Sequence, residues 1–192
     1  HSVFHMNTFG YNSNRRPQND TMPVIDVRIR NLTNEVMFSW TRDLDQKTNE
    51  TIKFILGGQY TLLYAYGTIE NGVMQKHDNS NRGYGNITLS NNFSGKAYIP
   101  PNPTNWGKEI MKNSQLQWQT LDIKVTFNLT VDSGVVSNYD WYGVALKDPS
   151  EEVSMIDGDY VVVMLKNHSV FHMNTFGYNS NRRPQNDTMP VI

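Results

Sequence analysis

The chain has 192 residues, a formal net charge of -1 at pH 7 and no cysteine. The balanced charge, without a basic patch, argues against nucleic acid as a partner, and no apolar run is long enough to predict a membrane span. The lack of cysteine excludes disulfides, thiolate metal sites and covalently attached c-type haem.

The first predicted element belongs to a segment that occurs twice. The segments 1–25 and 168–192 are identical at every position, so the sequence that begins at His1 begins again at His168. Such identity indicates near-identical units, so we predict a tandem array in which the segment 1–167 is one period. An engineered permutation with an overlap, or a single repeated strand, stays open as an alternative. The partners that this repeat predicts are identical neighbouring units in head-to-tail order.

Short strands separated by polar turns are predicted in the first half of the chain. Val36, Phe38 and Trp40 alternate with other residues, which predicts a strand at 35–42 with one buried face. A denser apolar run at 59–67 is typical of a central strand. Strands at this spacing, with Gly, Asn and Asp between them, favour an antiparallel sandwich over a βαβ fold.

A proline-rich segment, "YIPPNPTNW", follows these strands. Proline cannot donate to a strand ladder and favours extended geometry, so we predict a linker at 100–104. Residues 1–99 would then form the C-terminal part of one unit, and residues 105–192 the N-terminal part of the next. A short helix is predicted at 105–113.

The strand predicted around "LDIKVTFNLTVD" bears on where the protein is found. Val125, Phe127 and Leu129 alternate with polar residues, which places Asn128 on the solvent face of a half-buried strand. Asn128 lies in one of eight Asn-x-Ser/Thr sequences, about twice the number expected by chance. These sequences predict N-linked glycans and an extracellular or cell-surface protein. The eight candidate asparagines are Asn19, Asn31, Asn49, Asn86, Asn92, Asn128, Asn167 and Asn186.

The last predicted elements form a hairpin. A strand over "DYVVVMLK", residues 159–166, is followed by one over "SVFHMNTF", residues 169–176, with Asn167 and His168 between them. The copy of the second strand at residues 2–9 has no such neighbour in sequence. We therefore expect it to pair with an adjacent unit or to fold back on its own chain.

Five pieces of the sequence, in order, resemble the DOMON family, which includes domains of dopamine β-hydroxylase-type proteins and secreted b-type cytochromes. They are "DWYGVAL" with a following Met, "GDYVVVML", "SVFHMNTFGYNSNRRPQNDT", "VMFSWTR", and "LLYAYG" with a following His. The resemblance implies an all-β, immunoglobulin-like antiparallel β-sandwich of about ten strands. It also implies haem b held between Met155 and His77 as axial ligands, since cytochrome members carry Met and His there. Other members bind no haem, and some are thought to bind sugars.

The sequence carries no catalytic motif, so we predict that the chain is not an enzyme, and no metal site beyond the haem iron is predicted. The first expectation for function is a structural repeat unit of an extracellular, N-glycosylated, head-to-tail fibre or surface appendage. The alternative is a haem b electron-transfer module, in which thioether and imidazole fill both axial positions. A second alternative is a carbohydrate-binding module that uses Tyr64, Tyr66 and Trp106.

Overall fold

The computed structural model describes residues 25–45, 52–71, 73–89, 107–150 and 159–174, and nearly all of its regular structure is β. The strands are β1 (Ile25–Asn31), β2 (Glu35–Asp43), β3 (Gln59–Gly67), β4 (Ile69–Glu70), β5 (Val73–Met74), β6 (Arg82–Thr88), β7 (Gly107–Met111), β8 (Ser114–Leu121), β9 (Lys124–Asp132), β10 (Trp141–Lys147), β11 (Asp159–Met164) and β12 (Ser169–Asn174). One α-helix, α1 (Ser133–Asn138), and one 3-10 turn, Asn79–Asn81, complete the described elements.

Ten of these strands form two five-stranded sheets. Sheet A has the order β1-β2-β9-β8-β7 and sheet B the order β12-β11-β10-β3-β6. Every pairing in both sheets is antiparallel. The prediction of an all-β antiparallel sandwich is therefore confirmed. The remaining two strands, β4 and β5, form a short hairpin of their own.

Both sheets combine strands from the two sides of the predicted linker. Sheet A joins β1 and β2 to β7, β8 and β9, and sheet B joins β3 and β6 to β10, β11 and β12. The linker itself, at 100–104, lies outside the described residues. The unit boundaries predicted from it stay a prediction, but strands assigned to different units share the same two sheets here.

The core lies between the sheets and follows the alternation of the sequence. Val125, Phe127, Leu129 and Val131 on β9 are all buried, while the intervening residues are half-buried. Within sheet A, the ring of Trp40 on β2 stacks on Phe127, its partner on β9, at a centroid distance of 5.6 Å. Because strand side chains point alternately to opposite faces, this pattern fixes the pairing register of sheet A.

A cavity of about 20 Å³ remains in this core, between aromatic and aliphatic side chains of both sheets such as Trp40, Leu62 and Val144. That is room for about one water molecule. Sites for organic ligands usually measure about 300 Å³ or more. This cavity is therefore far too small for haem or a sugar.

Hydrogen bonds also join the two sheets, and one of them is between Tyr142 and Ser114. Tyr142 on β10 is fully buried, and its hydroxyl lies 2.5 Å from the Oγ of Ser114 at the start of β8. Burial raises the pKa of Tyr142, and the hydrogen bond with Ser114 opposes that shift only in part. The phenol therefore stays protonated at neutral pH and links sheet B to sheet A.

The helix predicted at 105–113 is wrong. Gly107–Met111 forms β7, which pairs with β8 through a tight turn that contains Asn113 at φ 56°. Asparagine tolerates this left-handed conformation, so the residue at position 113 favours the turn. The described helix, α1, lies instead after β9, where the side chain of Asp132 accepts a hydrogen bond of 2.6 Å from the backbone N–H of Gly134.

Candidate functional site

The segment that carries His77 is held over the outer face of sheet B. It follows the β4–β5 hairpin, whose base is closed by a 2.9 Å hydrogen bond from the backbone N–H of Gln75 to the carbonyl of Thr68. The 3-10 turn begins two residues after His77, and a 3.0 Å bond from the N–H of Asn81 to the carbonyl of Asp78 closes it. His77 therefore sits between two locally closed turns.

The His77 ring is buried although it lies in a polar stretch of sequence. It is only 8% exposed, and its Nδ1 lies 3.4 Å from the carbonyl oxygen of Asp78. Its ring centroid is 6.5 Å from that of Trp141, at an interplanar angle of 62°. Burial is the main cause that lowers the pKa of His77, and the positive charges of Arg82 and Lys76 lower it further. The imidazole is therefore neutral at pH 7 and keeps a lone pair that could bind a metal.

The indole of Trp141 forms the base of this site. Its Nε1 donates a 3.2 Å hydrogen bond to the carbonyl of Thr68. The ring lies over Gly67, where a Cβ atom would come within 2.9 Å of the indole Cζ2. The absence of a side chain at residue 67 is thus what lets Trp141 lie flat beneath the His77 segment.

An aspartate and a small apolar cluster hold the same region in place. The Oδ2 of Asp140 accepts a 2.7 Å bond from the N–H of Ile69, and the N–H of Asp140 donates to the carbonyl of Gly67 at 2.9 Å. Outside the main core, Trp141 packs with two buried side chains, Val162 and Met164. The outer face of sheet B is therefore covered and apolar beneath the hairpin.

The predicted haem ligands can be compared with this geometry only in part. The Nδ1 of His77 faces a backbone carbonyl, an arrangement that many metal-binding histidines also have. Met155, the predicted second ligand, lies outside the described residues. Within the part of the chain that the structure describes, no three acidic, histidine or cysteine side chains are grouped as a metal site.

The predicted glycosylation sites differ in accessibility. Asn31, Asn86 and Asn167 are exposed. Asn128 lies on the outer face of sheet A, as the alternation predicts, but it is half-buried in the central strand. Its Oδ1 accepts a 2.5 Å hydrogen bond from the Oγ of Ser39 on the neighbouring strand. The other four predicted sites lie outside the described residues: Asn19, Asn49, Asn92 and Asn186.

The tyrosines considered for sugar binding belong to the core. Tyr66 is 1% exposed and stacks on Tyr142 at a centroid distance of 5.3 Å. Tyr64 is half-buried and also stacks on Tyr142, at a centroid distance of 6.3 Å. The ring of Tyr66 is thus enclosed in the core, whereas Trp106 lies outside the described residues.

The hairpin predicted for the repeated segment is confirmed for its second copy. β11 and β12 pair over six residue pairs, from Met164 and Ser169 next to the turn to Asp159 and Asn174 at the far end. Val170 is 6% exposed and belongs to the main core. Of the first copy, residues 1–24 lie outside the described residues.

Comparisons of the chain with protein-family models, with curated proteins and with solved structures found no match. The resemblance to the DOMON family therefore stays a prediction from the sequence order. In the part of the chain that the structure describes, no helix has the length and apolar character needed to cross a membrane.

Sequence reasoning selected His77 but missed the residues that position it. Asp140, Trp141 and Gly67 lie in the pieces "DWYGVAL" and "LLYAYG" of the family resemblance, but the sequence predicts no individual role for them. The signal that could have identified them is the position of "DW" at the start of one strand and of a glycine at the end of another. Gly67 and Trp141 become neighbours because β3 and β10 are antiparallel partners.

Proposed function

We propose that this chain is a structural β-sandwich unit of an extracellular, N-glycosylated fibre or surface appendage that assembles head to tail with identical units. The observation that carries this proposal is the position of β12. The repeated segment supplies the terminal strand of sheet B, and one of its side chains, Val170, enters the core. The segment that occurs twice in the chain therefore contains a strand that completes the sandwich.

A strand such as β12 is needed to complete sheet B, and another chain can supply it as well. Burying a valine side chain stabilises a fold by about 1.5–3 kcal/mol, and an edge strand adds a row of backbone hydrogen bonds. A heterologous contact of this kind generates an open filament when the rotation between units does not close a ring. Exposed asparagines at residues 31, 86 and 167 support the extracellular part of the proposal, because glycans require accessible side chains.

Sedimentation of the purified chain tests the assembly. We expect a series of species, monomer, dimer, trimer and longer, that shifts to larger sizes as the protein concentration rises. An open series distinguishes a filament from a closed dimer, which would stop at one size. A chain that stays monomeric up to about 100 µM, well above the dissociation constant of a typical specific interface, would contradict the proposal.

A second candidate function is a haem b electron-transfer module, and the buried, neutral His77 favours it. His77 and Met155 would hold the iron, which would supply one-electron chemistry without an open position for oxygen. The test is titration of the purified chain with haemin, followed by absorption spectroscopy of the oxidised and reduced states. His77→Ala and Met155→Ala should each abolish the low-spin spectrum.

His168→Ala is the matched control for the haem experiment. His168 lies in the β11–β12 turn, on a different part of the molecule from His77. The centroid of its ring is 6.2 Å from that of Phe38. This variant should keep the spectrum of the unchanged chain. A chain that takes up no haemin, or a His77 variant with an unaltered spectrum, would rule this function out.

A further inference from the structure

The edge of β11 that receives β12 is a defined binding site for a strand, and we call it the acceptor edge (Asp159–Met164). On its other side β11 pairs with β10, so only one edge is available for β12. The six pairs of β11 and β12 place Val170 opposite Val163, which is fully buried. The acceptor edge thus recognises a strand through backbone hydrogen bonds and through an apolar side chain at one position.

The chain contains two segments that fit this site equally well. Ser2, Val3 and Asn7 correspond to Ser169, Val170 and Asn174, and the residues between them are also identical. One chain therefore carries one acceptor edge and two segments of the same sequence. In the described structure the second segment, as β12, occupies the edge of its own chain.

We propose that Ser2–Asn7 of one copy of this chain binds to the acceptor edge of another copy, in place of that copy's β12 and in the same register. This inference rests on the proposed assembly and names the contact that would produce it. The register places Val3 opposite Val163 and Ser2 opposite Met164. Each such exchange joins the N-terminal segment of one chain to sheet B of the next.

The competition between the two strands sets how often exchange occurs. The strand of the same chain is connected to β11 through a turn of four residues, Leu165–His168, and so binds intramolecularly at an effective concentration of the order of millimolar. The strand from another chain has the same sequence but must bind from solution. A change that weakens only the resident strand should therefore increase exchange.

Disulfide trapping between two full-length chains tests this contact, because the natural chain has no cysteine. One chain carries Met164→Cys and the other carries Ser2→Cys. Partner residues on adjacent strands have Cα atoms about 4.5–5.5 Å apart, within the range of a disulfide. We expect a disulfide-linked heterodimer on a non-reducing gel, and a several-fold higher yield when the Met164→Cys chain also carries Val170→Asp. The added carboxylate would be buried without a partner and would weaken the resident strand.

Two control chains define the register and the site. In the first control, Val3→Cys replaces Ser2→Cys. It should cross-link poorly because residue 3 would point into the core, whereas residue 164 lies on the opposite, outer face of sheet B. Met164→Cys combined with Ser169→Cys in one chain is the second, and it should close an intrachain disulfide. Equal yields from Ser2→Cys and Val3→Cys would overturn the proposed register and with it the proposal.

A competition experiment covers the case in which Val170→Asp does not fold. A synthetic peptide of residues 1–25, added in excess to the Met164→Cys and Ser2→Cys chains, should suppress the heterodimer. An unchanged yield would overturn the proposal. Sedimentation into long species without this cross-link would also overturn it, and would leave the proposed fibre to assemble through another surface. The cross-link without species longer than a dimer would support strand exchange and contradict the fibre.

Discussion

Gly67 is the residue on which the packing beneath His77 most directly depends. A Cβ atom at this position would lie 2.9 Å from the Cζ2 and 3.0 Å from the Nε1 of Trp141. In Gly67→Ala the indole must therefore move, and its hydrogen bond to Thr68 is lost or lengthened. Overpacking of this kind typically costs about 1–3 kcal/mol. We expect a loss of that size in the free energy of unfolding, measured by urea denaturation.

Gly143 provides the matched control on the same face of sheet B. A Cβ atom there would lie 3.6 Å from Val162 and 3.7 Å from Trp141, which are ordinary contact distances. Gly143→Ala should therefore leave the free energy of unfolding unchanged or raise it slightly, because alanine loses less chain entropy on folding. Equal losses in the two variants would show that the indole does not set the cost at residue 67.

The candidate site was only partly predictable at the level of single residues. The family resemblance indicates His77, but the residues around it are typical of a solvated polar loop. Its burial results from contact with Trp141, which lies beside Thr68 although 73 residues separate them in sequence. No local pattern reports a contact of that separation, since it depends on which strands become neighbours.

Among the elements, the hydrogen bond between β8 and β10 is one of the polar links between the two sheets. Tyr142→Phe removes the hydroxyl that lies 2.5 Å from the Oγ of Ser114. A hydrogen bond of this kind contributes about 0.5–1.5 kcal/mol, so we expect the free energy of unfolding to fall by about 1 kcal/mol. Thermal or urea denaturation of the purified variant measures this loss.

Ser114→Ala and the double variant complete the comparison. If the two hydroxyls act only through each other, the double variant should lose about as much as Tyr142→Phe alone. Strictly additive losses would show that each hydroxyl has a different main partner. For Tyr142 the Sδ of Met111, at 4.0 Å, would be the candidate.

Strands with a regular alternation could be predicted, whereas short strands and their pairings could not. The period of two in β2 and β9 places Phe38 and Phe127 in the core as expected. The five residues of β7 contain a single apolar pair, Ile110 and Met111, and show no clear period. The sequence therefore predicts a helix there, which is wrong. The strand conformation of β7 comes from pairing with β8, so it depends on the turn at Asn113 and not on local preference.

At the scale of the whole molecule, glycans should be distributed unevenly over the surface. The exposed sites lie at the periphery: Asn31 ends an edge strand of sheet A, Asn86 lies on an edge strand of sheet B, and Asn167 lies in the β11–β12 turn. Peptide mapping of material secreted by a eukaryotic host should find glycans at these three residues. Asn128, which accepts a hydrogen bond from Ser39 in the middle of sheet A, should carry less.

Variants separate accessibility from sequence preference in this prediction. Ser39→Ala removes the hydroxyl that engages Asn128 and should raise glycan occupancy there, whereas Asn86→Gln should remove one glycan and leave the others unchanged. If residues 31, 86 and 167 are all unmodified in secreted material, the extracellular assignment fails. Full occupancy of Asn128 in the unchanged chain would show that its position in the sheet does not restrict access.

The pairing of β2 with β9 has a consequence for the order of synthesis. Ser39 and Asn128, which face each other in these strands, are 89 residues apart, so β2 leaves the ribosome well before its partner exists. At about 5–20 residues per second, the delay is roughly 4–18 s. In a tandem array whose period is the segment 1–167, an identical β9 would also precede β2, closer along the chain than the one that follows, and would already have been made. In such an array, translation would offer each β2 a partner strand earlier than the β9 that follows it.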